Sequence, residues 1–319
     1  MSPSLRALLT GAIDYAGMFP PAKLPLEEAF RNYLSYRESP DAWMLGRFIC
    51  PVGKLGELDC LIQDTSKISP LAISCIGTGG ATRGEFVAKL PVDLVAIRSF
   101  NGHVGKRGGV DSFEVKLPTD LLVSNRRQWD FSSDPRFVHR GLMQWLRELS
   151  VFCETDRSSN WRATLPTAIT FLEGYSKRHN GFKFRCGGLE TAAFPSPDEV
   201  AYALLACARA EVAIKFTAGL HHPIRHYDTT VQTRMHGFLN ILVAGVLAYS
   251  QKQDEDQLSS ILADENPEHF QAGDTGLRWK DHYVTIEQIT DARLKGGLSF
   301  GSCSFDEPRD DLRKLGWLL

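Results

Sequence analysis

Short apolar runs alternate with longer stretches of helical spacing along the chain, the pattern of parallel βαβ units. Eight runs read as strands, at 12–14, 43–50, 71–76, 110–116, 149–154, 182–186, 213–217 and 298–304. Helical patterns lie between and after them, at 26–36, 54–65, 84–104, 135–146, 161–179, 197–210, 235–249, 285–294 and 307–315. The helix after the sixth strand has the clearest start: Ser196-Pro197-Asp198-Glu199 combines a capping box, proline at the first helical position and acidic residues in the first turn. Residues 93–99 look locally strand-like, yet Leu94, Ile97, Phe100 and Val104 follow helical spacing, so the fourth strand is placed at 110–116.

Eight strands alternating with helices in 319 residues predict an α/β protein, a (β/α)8 TIM barrel forming one domain over 1–319. The acidic stretch 251–265 falls in an expected surface insertion at 251–280. A two-domain division, which would fall there or near 125–134, is the less convincing alternative. An internal similarity supports the barrel. Gly181-Phe182-Lys183-Phe184-Arg185-Cys186-Gly187-Gly188 recurs 32 positions later as Ala213-Ile214-Lys215-Phe216-Thr217-Ala218-Gly219-Leu220, and a βα unit has a period of roughly 30 residues.

Composition narrows the partners. Net charge is −2, from 36 basic and 38 acidic residues without a basic stripe, which argues against nucleic acid. The start, 1–11, has no apolar core of a leader, and the longest nearly uncharged run, 237–249, is too short to span a bilayer. Seven scattered cysteines without a CxxC pair read as reduced core residues. The expected compartment is the cytoplasm. Nothing in the sequence sets the oligomeric state.

Strand alternation places the chemistry. With Phe182, Phe184, Ile214, Phe216, Phe113 and Val115 facing the helices, the barrel axis receives Lys183, Arg185, Lys215, Thr217, Glu114 and Lys116. Arg47, Glu154 and Asp14 join them by the same logic. A buried charge loses several kcal/mol of solvation unless it is paired. Part of this set therefore neutralises internally, and the remainder is expected to form a cationic hole for the carboxylate or phosphate of a small anionic metabolite. Gly187, Gly188 and Gly219 follow strands, as does Gly77-Thr78-Gly79-Gly80; they serve either tight turns or anion contacts through backbone N–H groups. No P-loop and no GxGxxG opens a helix, so no nucleotide cofactor is expected. His221 and His222 follow the seventh strand and suit acid–base, anion-binding or metal-ligating roles. His236 and Asn240 read as a satisfied core histidine and a buried amide.

The neighbouring segments Lys-Phe-Arg-Cys-Gly (183–187) and Lys-Phe-Thr-Ala-Gly (215–219) resemble the class I deoxyribose-phosphate aldolase group. That family carries a Lys-x-Ser/Thr-x-Gly motif on strand six and a second lysine on strand seven. The resemblance implies a Schiff-base lyase, with Lys183 as the imine-forming residue and Lys215 as its electrostatic neighbour. Arg185 departs from the motif where Thr217 fits it, which leaves a reversed assignment open. Glu114 or Glu154 would move protons, while Arg47, Arg185 and the glycine turns would hold the anion. The chain as a whole resembles bacterial proteins of barrel type, which implies a fold and no activity. Two other readings remain. One is a metal-dependent lyase or isomerase using Asp14, Glu154 and His221 or His222. The other is a barrel that binds anions without catalysis.

Overall fold

The computed structural model describes residues 1–65, 69–122, 148–157, 160–172, 180–251 and 253–318. The first seven barrel strands are β1 (Ile13–Tyr15), β2 (Leu45–Pro51), β3 (Leu71–Ile76), β4 (Gly108–Lys116), β5 (Ser150–Glu154), β6 (Gly181–Arg185) and β7 (Ala213–Thr217). After β7 the chain makes a hairpin of β8 (His226–Asp228) and β9 (Thr233–Met235), then an antiparallel sheet of β10 (Phe270–Ala272), β11 (Gly276–Trp279) and β12 (His282–Thr285). The last strand, β13 (Ser299–Ser302), pairs in parallel with β7 on one side and β1 on the other and closes the barrel. All eight expected strands are present, and the fold is a closed α/β barrel of the (β/α)8 type.

The outward faces supply the core between strands and helices. Phe113, Phe182, Phe184, Phe216 and Phe300 are all at most 2% exposed, as expected of the apolar half of each alternation. The strand-like residues 93–99 lie within the helix Arg83–Val104, with Leu94 and Ile97 fully buried. Two details place later side chains. Between β3 and β4, Ile73 pairs with Val110 but Ser74 pairs with Ser112, so Asp111 is the extra residue of a bulge. Gly46 is required by a close approach: a Cβ there would lie 2.4 Å from Asp14 Oδ1.

The helix Pro197–Arg209 begins at the expected capping box. Ser196 Oγ accepts the Glu199 N–H at 3.2 Å, and Glu199 Oε2 accepts the Ser196 N–H at 2.8 Å. Ser196→Ala is expected to lower stability by about 1 kcal/mol, checked by urea unfolding as a shift in midpoint without a change in slope.

Several boundaries differ from expectation. A helix at Pro3–Leu9, capped by Ser2, precedes β1; its seven residues are too few to show a clear apolar period. The expected helix at 235–249 starts at Phe238, because Thr233–Met235 pairs with β8 instead. Within 251–280 lie the helix Glu255–Ala263 and strands β10 and β11, with β12 completing their sheet beyond that boundary. The expected helix at 135–146 and the division near 125–134 lie outside the described residues, and the helix beginning at Trp161 is described as far as Leu172.

His236 and Asn240 are core residues with satisfied polar groups. His236 Nε2 lies 2.8 Å from the Pro195 carbonyl oxygen. Burial and the nearby Arg225 depress its pKa to about 4, keeping the imidazole neutral at physiological pH. Asn240 accepts the Arg225 N–H and donates to the carbonyl oxygens of Ile261 and Asp264.

Candidate active site

The barrel axis carries a chain of alternating charges. Lys215 on β7 donates to Asp14 Oδ2 on β1 at 2.8 Å and to Glu114 Oε1 on β4 at 2.5 Å. The other Glu114 oxygen, Oε2, faces Lys183 Nζ on β6 at 2.9 Å, and Lys183 reaches Glu154 Oε2 on β5 at 3.3 Å. Arg185, half exposed above, approaches Glu154 Oε1 at 3.9 Å. Strands β1, β4 and β6 are not neighbours in the sheet, so side chains linked across them meet on the axis. The inward orientation expected from alternation therefore holds for Asp14, Glu114, Lys183 and Lys215.

Burial makes this network costly unless its members balance. Asp14 and Glu114 are 0% and 1% exposed, and Lys215 is 1%. Burial alone would raise the Glu114 pKa, but Lys183 and Lys215 outweigh it and hold the carboxyl well below the usual carboxylate range. Burial would likewise lower Lys215, but Asp14 and Glu114 outweigh it and hold the ammonium above the ordinary lysine value. Lys215 is thus a fixed cation, its Nζ also lying 5.3 Å from the Phe152 ring centroid. Supporting hydrogen bonds come from the backbone of Arg47 and from two residues the sequence reading did not single out, Ser74 and Ser299. Ser74 donates to Glu114 Oε1 at 2.6 Å, the Arg47 backbone N–H donates to Asp14 Oδ1 at 2.7 Å, and Ser299 donates to Asp14 Oδ2 at 3.4 Å. Ser74 sits between Ile73 and Cys75, so alternation alone would have placed it on the inner face.

Two cavities open at the C-terminal ends of the strands. One, about 410 Å³, is lined by Lys183, Arg185, Gly187, Gly188, Arg157 and Trp161 among others. The second, about 470 Å³, is lined by the Gly77-Thr78-Gly79-Gly80 turn, Lys89 and Glu114 among others. Lys116, Glu154, Asp156 and Lys183 border both. Lys215 borders neither. Of the two axial lysines, Lys183 is therefore the one these cavities reach.

The structure redistributes the expected site. Arg47 points inward but sits in the N-terminal half of β2, where it forms a two-pronged ion pair with the bulged Asp111 at 2.8 and 2.9 Å; it borders neither cavity. The floor holds three carboxylates (Asp14, Glu114, Glu154) against two ammonium groups, so the surplus positive charge expected there is absent. Positive groups stand on the rim instead, each beside a carboxylate: Lys116 with Asp156 at 2.5 Å, Arg157 with Glu199 at 3.5 Å, and Arg185 with Glu154. Thr217 tops β7 opposite Arg185 in register and lines neither cavity.

Gly219 serves geometry. With φ of +70°, it packs on the backbone of Gly187, and a Cβ on it would lie 3.0 Å from the Cys186 carbonyl oxygen. His221 and His222 turn away to the final helix, His221 Nδ1 lying 3.1 Å from Glu307 Oε2 and His222 pairing with Asp311. Asp14, Glu154 and His221 accordingly do not converge. Among the described residues, no three His, Cys, Asp or Glu side chains are placed to hold one metal ion. Among those residues, too, no helix is long and apolar enough to cross a membrane.

No protein-family model matches this chain, and neither a curated protein nor a solved structure matches it, so the likeness to the aldolase group stands on the β6 and β7 segments alone.

Proposed function

We propose that the protein is a lyase of the imine-forming type acting on a small carbonyl metabolite with a carboxylate or phosphate group, with Lys183 as its nucleophile. The observation that carries this reading is the division of labour between two lysines on one carboxylate. Lys183 opens to both cavities, while Lys215 is sealed behind Glu114 as a permanent cation. Because Glu114 is shared with Lys215, its charge is not spent on Lys183 alone. Glu154, bordering the same cavities at 3.3 Å, accepts the Lys183 proton.

The neutral amine adds to the substrate carbonyl. The resulting hydroxyl leaves as water with the proton from Glu154, giving an iminium ion; Glu154 then takes the proton of the substrate's β-hydroxyl, the β-carbon leaves as an aldehyde, and the electrons of the broken C–C bond form an enamine. Glu114 and Glu154 flank that positive charge. Glu154 returns its proton to the enamine carbon, and water then hydrolyses the product iminium, releasing the carbonyl product and restoring Lys183. Arg185, Lys116 and the backbone of Gly187 and Gly188 form the anion end of the cavity, the substrate's charge competing with Asp156 and Glu154 for these cations. The seven free cysteines suit a reducing compartment such as the cytoplasm.

The test is borohydride reduction of the protein with small aldehydes, ketones and keto acids, followed by peptide mass mapping. A stable adduct is expected on Lys183, absent without borohydride. An adduct confined to Lys215 would reverse the assignment, and none across the panel would leave the non-catalytic anion-binding barrel as the better account.

A further inference from the structure

A second cluster of reactive groups lies on the rim between β7 and β13, bordering neither cavity. Cys303 follows β13 directly, and its Sγ lies 3.9 Å from His221 Nδ1. The same nitrogen is 3.1 Å from Glu307 Oε2, in the first turn of the helix Asp306–Lys314. A thiol, an imidazole and a carboxylate thus converge from three segments, the thiol three residues ahead of a helix N-terminus. The imidazole is placed beside the sulfur, where it can give a proton to a group leaving it.

Cys303 also differs from the other cysteines in the balance of access and surroundings. Cys50, Cys75, Cys153, Cys186 and Cys207 are fully buried at 0% exposure, whereas Cys303 keeps 8%. Burial pushes the Cys50 thiol up to about 12 and raises Cys75, Cys153, Cys186 and Cys207 as well, which makes them inert. Cys60 is exposed on the helix Leu55–Asp64 and provides an internal reference.

We propose that Cys303 is an oxidant-modification site that reacts with small hydroperoxides, positioned and activated by His221 and Glu307. The thiolate attacks the hydroxyl oxygen of the hydroperoxide, forming an S–O bond as the O–O bond breaks. Sulfur loses two electrons to become a sulfenic acid, and the departing oxyanion takes a proton from the His221 imidazolium and leaves as water or an alcohol. Glu307 stabilises the imidazolium before transfer. Burial would lower His221, but the contacts with Cys303 and Glu307 raise it to about 9, so it is charged at neutral pH. The other ionisable groups facing this cluster are His222 and Asp311, which act on Glu307, and Tyr15 and Asp306 on the side of β1 and the final helix. His226 lies edge-on to His222 at 4.5 Å. This inference is independent of the imine chemistry proposed for Lys183.

The experiment treats the full chain with equimolar hydrogen peroxide in the presence of dimedone and maps the labelled peptides. At pH 7, Cys303 is expected to label at least about tenfold faster than Cys60, and His221→Ala to remove that advantage without changing Cys60. Glu307→Gln is expected to depress Cys303 labelling severalfold at pH 8 but little at pH 6, where the imidazole remains protonated without its carboxylate. Should either variant fail to fold, the unmodified protein suffices: its dimedone labelling compares Cys303, which His221 and Glu307 contact, with Cys60. Equal labelling of Cys303 and Cys60, or unchanged labelling in His221→Ala, would each overturn the proposal and leave the His221–Glu307 pair as a tie between helix and barrel.

Discussion

Lys183→Ala and Lys183→Arg are both expected to abolish the borohydride-trapped adduct and to lower turnover on any trapped substrate by roughly 10³-fold or more, because neither side chain can form the imine. The pair separates chemistry from architecture. Arginine restores a positive charge between Glu114 and Glu154, which otherwise lose their contacts at 2.9 and 3.3 Å. The arginine variant should therefore approach wild-type thermal stability while remaining inactive. In the alanine variant, Glu114 keeps Lys215 and Glu154 keeps Arg185, so the fold should survive with reduced stability. Substantial turnover by Lys183→Arg would contradict the imine and direct attention to electrostatic or acid–base catalysis at the same position.

Lys215→Met should have the opposite profile, with stability as its largest effect. It leaves Asp14 and Glu114 buried without their shared ammonium, and removal of one partner from such a network costs about 3–5 kcal/mol. The pH dependence carries the signature. In the wild type, the depressed Glu114 contributes stability that is present above the ordinary carboxylate range, about pH 4.3, and lost as pH falls through its lower folded value. The raised Lys215 contributes stability that is present below about pH 10.4 and lost as pH rises through its higher folded value. Between those limits, these two groups impose little slope. In Lys215→Met, the orphaned carboxylates would instead be relieved by protonation, so the deficit should shrink between pH 7 and pH 5. Urea midpoints of both proteins at the two pH values measure this. A deficit unchanged by pH would show that lost packing around Phe152, and not uncompensated charge, sets the cost.

Local sequence pattern was enough to recover the barrel and the inward face of its strands. Apolar runs alternating with helical spacing located all eight barrel strands, and period-two alternation put Asp14, Glu114, Lys183 and Lys215 on the axis. These properties are legible because side-chain direction in a strand depends only on neighbours one and two residues away. Capping chemistry is equally local, which is why Ser196 and Glu199 marked the start of their helix correctly.

Height along the barrel and the choice of partner depend on closure, which joins residues far apart in the chain. Alternation turned Arg47 inward but could not show that a bulge would present Asp111 to it 64 residues away. It could not show that Ala218 and Gly219, both at positive φ, would redirect the chain so that His221 and His222 meet the final helix, 86 and 89 residues later. Nor could it apportion charge: five ionisable groups from five strands pair on one axis, three carboxylates against two ammonium groups, only after the sheet has closed. The sequence by itself determined the strands, their inward residues and the pair of lysines. Only the tertiary structure decided which lysine is sealed and which is open, because burial and ion pairing are properties of the closed barrel and not of any one strand.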